Sequence, residues 1–244
     1  MTETAKHKES LRRAIIVAAG EGKRMRPVTL ETPKPLVKVH GTRLLDTSIR
    51  ALKDNGIEEI IIVAGYKKEQ FEEAYGEDPM ITIIENPHYL EGNNITSLYE
   101  ARAYLPGAFV LEGDLVIANK EILRREVACS GYCGIYMDEP PEWALEMKDG
   151  RIMSCAIGGG HEPGYRLMGI SMWTEEDGRK LAELIRTQIE DIGDWSVYWD
   201  ELALNIHNEL FDLGVREVGE QDIIEIDTVE ELAAMDPQYS IYIN

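Results

Sequence analysis

Two apolar runs that each end in glycine, "AIIVAAG" at 14–20 and "EEIIIVAG" at 58–65, restrict this chain to few folds. Uninterrupted Ile/Val runs of this length read as strands buried on both faces, which belong to parallel sheets with helical crossovers. Between them, "RLLDTSIRALKDNG" has helical spacing and closes on Gly56 as a C-terminal cap. The rhythm continues with "KKEQFEEAYG" as helix, "ITIIEN" as strand, "TSLYEARAYL" as helix from Thr96, "AFVLEGD" as strand and "NKEILRREV" as helix. This alternation predicts an α/β fold with a mainly parallel, mixed central sheet flanked by helices. In such sheets ligands bind beyond the carboxyl ends of the strands, where Gly20, Gly65 and Asp114 fall.

Past residue 130 the pattern changes to short extended pieces: "GYCGIYM", "WALEMKDGRI" with an Asp149-Gly150 turn, and "YRLMGISMW". Helices are predicted over 174–190 and 197–210, then the extended "VREVGEQDIIEID" and a terminal helix from Thr228. No linker, repeat or low-complexity tract divides the chain. Its 244 residues, 44% hydrophobic, are therefore read as one domain over 14–244 behind an N-terminal arm, 1–13.

A net charge of −20 argues against a nucleic-acid partner, because phosphate backbones are bound through basic surfaces. The distribution is uneven: residues 1–53 hold 12 Lys+Arg against 5 Asp+Glu, leaving 13 against 40 in the rest. A small polyanion bound by the basic opening segment accounts for this, as does a solvated arm carrying Lys6, Lys8, Arg12 and Arg13. No apolar run approaches the ~20 residues of a membrane span, and the first residues lack a signal-peptide pattern. The expected location is the cytoplasm, with no membrane partner. Cys129, Cys133 and Cys155 lack metal-ligand spacing and read as reduced structural thiols.

The segment "AAGEGKRMRPVTLETPKPLV" fits neither familiar phosphate loop. A dinucleotide fingerprint needs glycine where Met25 stands, and a Walker A loop needs GK followed by Ser or Thr. What remains is GxGxR at Gly20, Gly22 and Arg24, with Lys34 in a Lys-Pro pair. Glycine backbone N–H groups approach phosphate oxygens closely, and Arg24 and Lys34 are suited to neutralise a triphosphate.

This loop resembles the signature of the nucleotidyltransferases that activate sugar phosphates and amino-alcohol phosphates, a family with a Rossmann-like α/β fold. "GNNITSLYEA", "LEGDLVI", "PPEW", "VYWDEL" and "IIEIDT" extend the resemblance to bacterial CTP:phosphocholine and 2-aminoethylphosphonate cytidylyltransferases. The resemblance implies a nucleotide-binding half, 14–130, and a half at 131–244 that binds the acceptor and completes a metal site. It implies CTP as one substrate and a small zwitterionic phosphate or phosphonate as the other, phosphocholine in the first place, giving CDP-choline and pyrophosphate, with 2-aminoethylphosphonate, and more remotely a sugar 1-phosphate with another nucleotide, as the alternatives. Catalytic positions fall on Arg24 and Lys34, and nucleotide contacts on Ala18, Ala19, Gly20, Gly22, Lys23, Gly65, Asn93, Asn94, Ser97 and Glu112.

Asp114 carries the family's acidic metal position, and Glu225 and Asp227 in "IEID" alternate, so both carboxylates share one side of an extended segment. An all-oxygen set of this kind suits Mg²⁺. Asn93 serves equally as a base contact or as a helix cap. For the acceptor, Trp143 and Trp199 offer cation–π faces, Glu142 and Asp200 offer charge, and Tyr198 lies between them in sequence. Trp195 and Trp199 also have the spacing of a core-facing helical stripe. Lys38, Lys148 and Arg166 are the available cations for the acceptor phosphate. A nucleotide-binding regulatory module is the non-enzymatic alternative; the retention of Arg24, Lys34 and Asp114 speaks against it. Oligomeric state is not readable.

Overall fold

The structure, a computed structural model, describes residues 8–243. Its first half is wound as the apolar runs require. Strand β1 (Arg13–Ala18) leads through a loop to helix α1 (Leu44–Asp54), β2 (Glu59–Ala64), α2 (Lys68–Tyr75) and β3 (Ile81–Glu85). Helix α3 (Ile95–Glu100) then returns the chain to β4 (Ala108–Glu112). These strands lie in the order β3-β2-β1-β4, all parallel. Alternate residues of β1 and β2 enter opposite cores: Ile16, Ile60 and Ile62 pack on one face, and Ile15, Ile61 and Val63 on the other. All six are 0% exposed, which is why these strands carry no polar face.

The second half extends the same sheet with antiparallel strands. After β5 (Leu115–Ile117) come β6 (Gly131–Met137), the hairpin β7 (Ala144–Lys148) and β8 (Arg151–Ala156), and the long β9 (Gly164–Trp173). β9 joins the halves, pairing with β4, β6 and β7, so the sheet is mixed and nine-stranded once β10 (Gly214–Glu217) adds beside β6. Helix α4 (Glu175–Arg186) starts at Thr174, whose hydroxyl accepts the Asp177 N–H. Strand β11 (Ile223–Glu225) pairs with β5, and α5 (Val229–Met235) opens with a Thr228/Glu231 capping box.

Three sequence expectations change. The 119–127 helix is a 3-10 turn at Lys120–Leu123 followed by a short strand, Glu126–Val127. That strand pairs with Glu9–Ser10, and Leu11 is 0% exposed, so residues 9–13 are packed into the fold, while residues 1–7 lie outside the described part. The expected 197–210 helix begins only at Trp199 and breaks into a single α-turn, a wide turn at Leu202–Ile206 and a 3-10 turn at Asn208–Leu210. Trp195 therefore sits in the preceding loop and shares no helical stripe with Trp199. Among the described residues no helix is long and apolar enough to cross a membrane.

Candidate active site

A cleft of about 790 Å³ opens beyond the carboxyl ends of β1 and β4. One wall is the opening loop, where Ala18, Ala19, Gly20, Gly22, Lys23 and Arg24 line the cavity. The loop folds through tight 3-10 turns at Lys23–Met25, Val28–Leu30 and Lys34–Leu36, which bring Lys34 back beside Gly22. Gly22 has φ +60, and a Cβ there would stand 3.0 Å from Lys34 Cβ, so both conformation and space require glycine. Gly20 has open space where its side chain would be, on the cavity wall.

Three carboxylates face this loop. Asp114 follows β4, while Glu225 ends β11 and Asp227 lies two residues on; an oxygen from each falls within 4.8 Å of the others. The pairing of β5 with β11 delivers them from positions more than a hundred residues apart. Lys34, 7% exposed, donates to Asp114 at 2.7 Å and to Asp227 at 2.6 Å. Arg24 reaches Asp227 at 2.7 Å. The two cations and two acids expected to share one centre therefore meet there.

Electrostatics are divided within this cluster. Burial pulls the Lys34 ammonium down, but Asp114 and Asp227 outweigh it and hold it above its ordinary value. Asp227 is half-buried, yet Lys34 and Arg24 bring it below the usual carboxylate range. Glu225 is pushed up to about 7 by burial and by the charges of Asp227 and Asp114, against the pull of Arg166. A buried Asp114 Oδ1 has no hydrogen-bond partner. Three converging carboxylates with an unpartnered buried oxygen fit a small hard cation such as Mg²⁺.

The remaining predicted residues divide by position. Asn93, Asn94, Ser97, Glu112 and Tyr198 line the cleft; Gly65 does not, and its missing side chain makes room for Tyr89, which does. Neither asparagine caps α3 with its side chain. Asn93 accepts from Asn94 N–H and donates to Ser196 O, while Asn94 accepts from Trp199 N–H, so both brace the 195–199 loop. Trp143 meets Tyr198 edge-on, with ring centroids 5.1 Å apart. Glu142 is an exposed side chain 3.9 Å from Arg166. The open cation–π face expected of Trp199 is corrected: the residue is 5% exposed, stacked on Tyr132 and packed against Trp173, because the helix starting there turns it into the core, and it lines only a small void beside Asp200. Asp200 is buried with it.

Sequence reasoning missed Asn86, a fully buried cleft residue whose amide donates to Thr96 and Ser97. Its only signal was a polar residue directly after strand β3. Of the three candidate cations for the acceptor, Arg166 alone approaches the centre, with Nη2 3.1 Å from Glu225.

Residues 14–149 match the model of the MobA-like NTP transferase domain family. The chain belongs to that family. This NTP transferase is 40% identical over 233 residues to a 2-aminoethylphosphonate cytidylyltransferase of Lancefieldella rimae, covering 93% of this chain and 92% of the relative. It is 33% identical to a choline-phosphate cytidylyltransferase of Streptococcus pneumoniae, covering 90% and 94%. A solved structure of CTP:phosphocholine cytidylyltransferase from Streptococcus pneumoniae superposes with a TM-score of 0.80 at 30% identity, over 93% of this chain and 99% of that one. The NTP transferase is accordingly an enzyme of the nucleotidyltransferase class, with the fold that its alternating strands and helices predict.

Proposed function

We propose that the protein is a Mg²⁺-dependent cytidylyltransferase that moves CMP from CTP to a small zwitterionic phosphonate or phosphate and releases pyrophosphate. The observation that carries this reading is the meeting of Arg24 and Lys34 with Asp114 and Asp227 at the cleft. Greater similarity to the aminophosphonate relative than to the choline-phosphate one, 40% against 33%, puts 2-aminoethylphosphonate first and phosphocholine second. That reverses the order implied by the resemblance of the sequence motifs.

In this reading an ionised acceptor oxygen attacks the α-phosphorus of CTP. A new P–O bond forms as the bond to the bridging oxygen breaks, and pyrophosphate leaves with the electron pair. No general base is required, because the acceptor is already an anion. Arg24 and Lys34 neutralise the charge that grows on the phosphates, and the glycine loop offers its N–H groups to their oxygens. Asp114, Glu225 and Asp227 would hold Mg²⁺, which supplies further charge neutralisation along the same phosphates. Asn93, Ser97 and Tyr89 line the part of the cleft assigned to ribose and base. Arg166 is assigned the acceptor's phosphonate or phosphate group, beside Glu225.

The test is pyrophosphate release with CTP, Mg²⁺ and each acceptor separately. Release that requires both CTP and an acceptor is expected, fastest with 2-aminoethylphosphonate. Inactivity with every acceptor, or equal activity without one, overturns the proposal.

A further inference from the structure

Beneath the cleft wall lies a second void of about 10 Å³, space for roughly one water-sized group. Glu112, Tyr132, Gly169, Ser171, Trp199 and Asp200 line it, and Glu112 also faces the main cleft. The Asp200 carboxyl is 7% exposed and has no cation within ion-pair distance among the described residues. The Tyr132 hydroxyl, 1% exposed, faces Asp200 but completes no hydrogen bond of ordinary geometry. The Glu112 side chain likewise has neither a hydrogen bond nor an ion pair among the described residues. The place is built for its carboxylate: a Cβ on Gly169, in the middle of β9, would stand 2.7 Å from Glu112 Oε2.

Buried carboxyls without a cation are costly, and protein interiors pair such groups with a cation or protonate them. Here two acids and a phenol oxygen surround one small space that shares Val17, Asn94 and Glu112 with the wall of the substrate cleft. We propose that this void is the acceptor's ammonium subsite and that it takes a primary ammonium, a reading that rests on the acceptor transfer proposed above. Three N–H groups match three acceptors: the Glu112 and Asp200 carboxylates and the Tyr132 oxygen. A trimethylammonium has no N–H to offer and exceeds the space. The two aromatic rings at this void are engaged with each other, since Tyr132 and Trp199 stack at 6.2 Å. Aminoethyl phosphonate and aminoethyl phosphate carry the same head group, so the subsite selects amine type while the linkage is read elsewhere.

The experiment measures kcat/KM at saturating CTP and Mg²⁺ for 2-aminoethylphosphonate, ethanolamine phosphate, phosphocholine and ethylphosphonate. Both primary amines should exceed phosphocholine and ethylphosphonate by about 30-fold or more, the scale of one desolvated, hydrogen-bonded charge pair. The two primary amines compared with each other show how far the linkage matters. Asp200→Asn should raise KM for the primary amines about 30-fold with little change in KM for CTP, erasing the preference over ethylphosphonate. Tyr132→Phe, which keeps the ring packing, should cost roughly 3- to 5-fold in the same direction. Phosphocholine turned over as fast as the primary amines, or an equal Asp200→Asn loss on ethylphosphonate, overturns the subsite. Calorimetric binding of 2-aminoethylphosphonate and ethylphosphonate to the full chain with Mg²⁺ and a non-reacting CTP analogue separates the two readings. An amine preference in binding without turnover removes the transfer reading and keeps the subsite; turnover without amine preference does the opposite.

Discussion

Lys34 is the residue on which most of the site's electrostatics turn. It is nearly buried and bonded to two of three clustered carboxylates, so deleting its charge leaves those acids facing one another. Removing one partner of a buried pair typically costs about 3–5 kcal/mol. Lys34→Met should therefore lower the midpoint of thermal unfolding in the presence of a chelator, and Mg²⁺ should restore much of the loss by replacing the missing positive charge. Its turnover should stay at least ~100-fold below wild type even with Mg²⁺, because the charge developing on the leaving phosphate loses a fixed donor. Full activity would remove Lys34 from the mechanism, and a Tm indifferent to Mg²⁺ would argue against an ion at Asp114 and Asp227. Lys34 and Arg24 were legible in the sequence because a loop motif names them together; Tyr132 was not. It reads as an ordinary strand aromatic, and only the tertiary approach of Asp200 gives its hydroxyl a role.

At the level of elements, two strand glycines separate architecture from chemistry. A Cβ on Gly131 in β6 would fall 1.9 Å from the backbone oxygen of Gly214, where β10 pairs, and backbone cannot give way cheaply. A Cβ on Gly169 would meet the end of the Glu112 side chain instead. Gly131→Ala should thus lower unfolding free energy by ~2 kcal/mol or more, whereas Gly169→Ala should stay within ~1 kcal/mol. The second variant should still lose acceptor kcat/KM, since Glu112 is displaced. Chemical denaturation checks the first pair of numbers and the acceptor assay the last. The same contrast explains what the sequence disclosed. β1, β2 and α1 are set by local periodicity and by Gly56, so their existence could be read off directly. The segment after Trp195 could not: its turns are fixed by Asn94 accepting from Trp199 N–H and by the packing of Trp199 on Tyr132 and Trp173, contacts from elsewhere in the chain. Glu112 and Gly169 are likewise brought together by the β4–β9 register, one residue beyond the Leu111–Ile170 pair.

For the whole molecule, a chain with a net charge of −20 that also buries unpaired acids carries a stability cost that depends on pH. Burial pushes the Asp200 carboxyl from 3.8 up to about 7, with Glu201 adding to the shift and Tyr132 opposing it. A folded-state value above the unfolded one means the native state holds the extra proton. Its stabilising contribution is then complete below about pH 4 and lost as pH rises through about 7. The other groups around Asp200 do not reverse this sign. Glu112 is itself held well above its ordinary value by burial and by neighbouring acids, and burial pushes the Cys155 thiol up to about 12 and Tyr132 upward, so both stay neutral. Carboxyls shifted the other way, such as Asp78 and Asp222, weaken the fold only as pH falls, and they are common to wild type and variant. The difference between Asp200→Asn and wild type therefore reports the buried group together with its charge on Glu112, which acts in the same direction. The variant should gain relative stability from pH 4 to pH 8, by up to about 4 kcal/mol on a shift of some three pH units, steadily between about pH 4 and pH 7 and levelling off above. Urea titrations of both proteins at several pH values measure it. A flat difference would mean that Asp200 is already paired in the free protein. Repeating the titrations at pH 8 with 2-aminoethylphosphonate should narrow the gap, because an ammonium in the void stabilises the ionised carboxylate of the wild type and finds only a neutral amide in the variant.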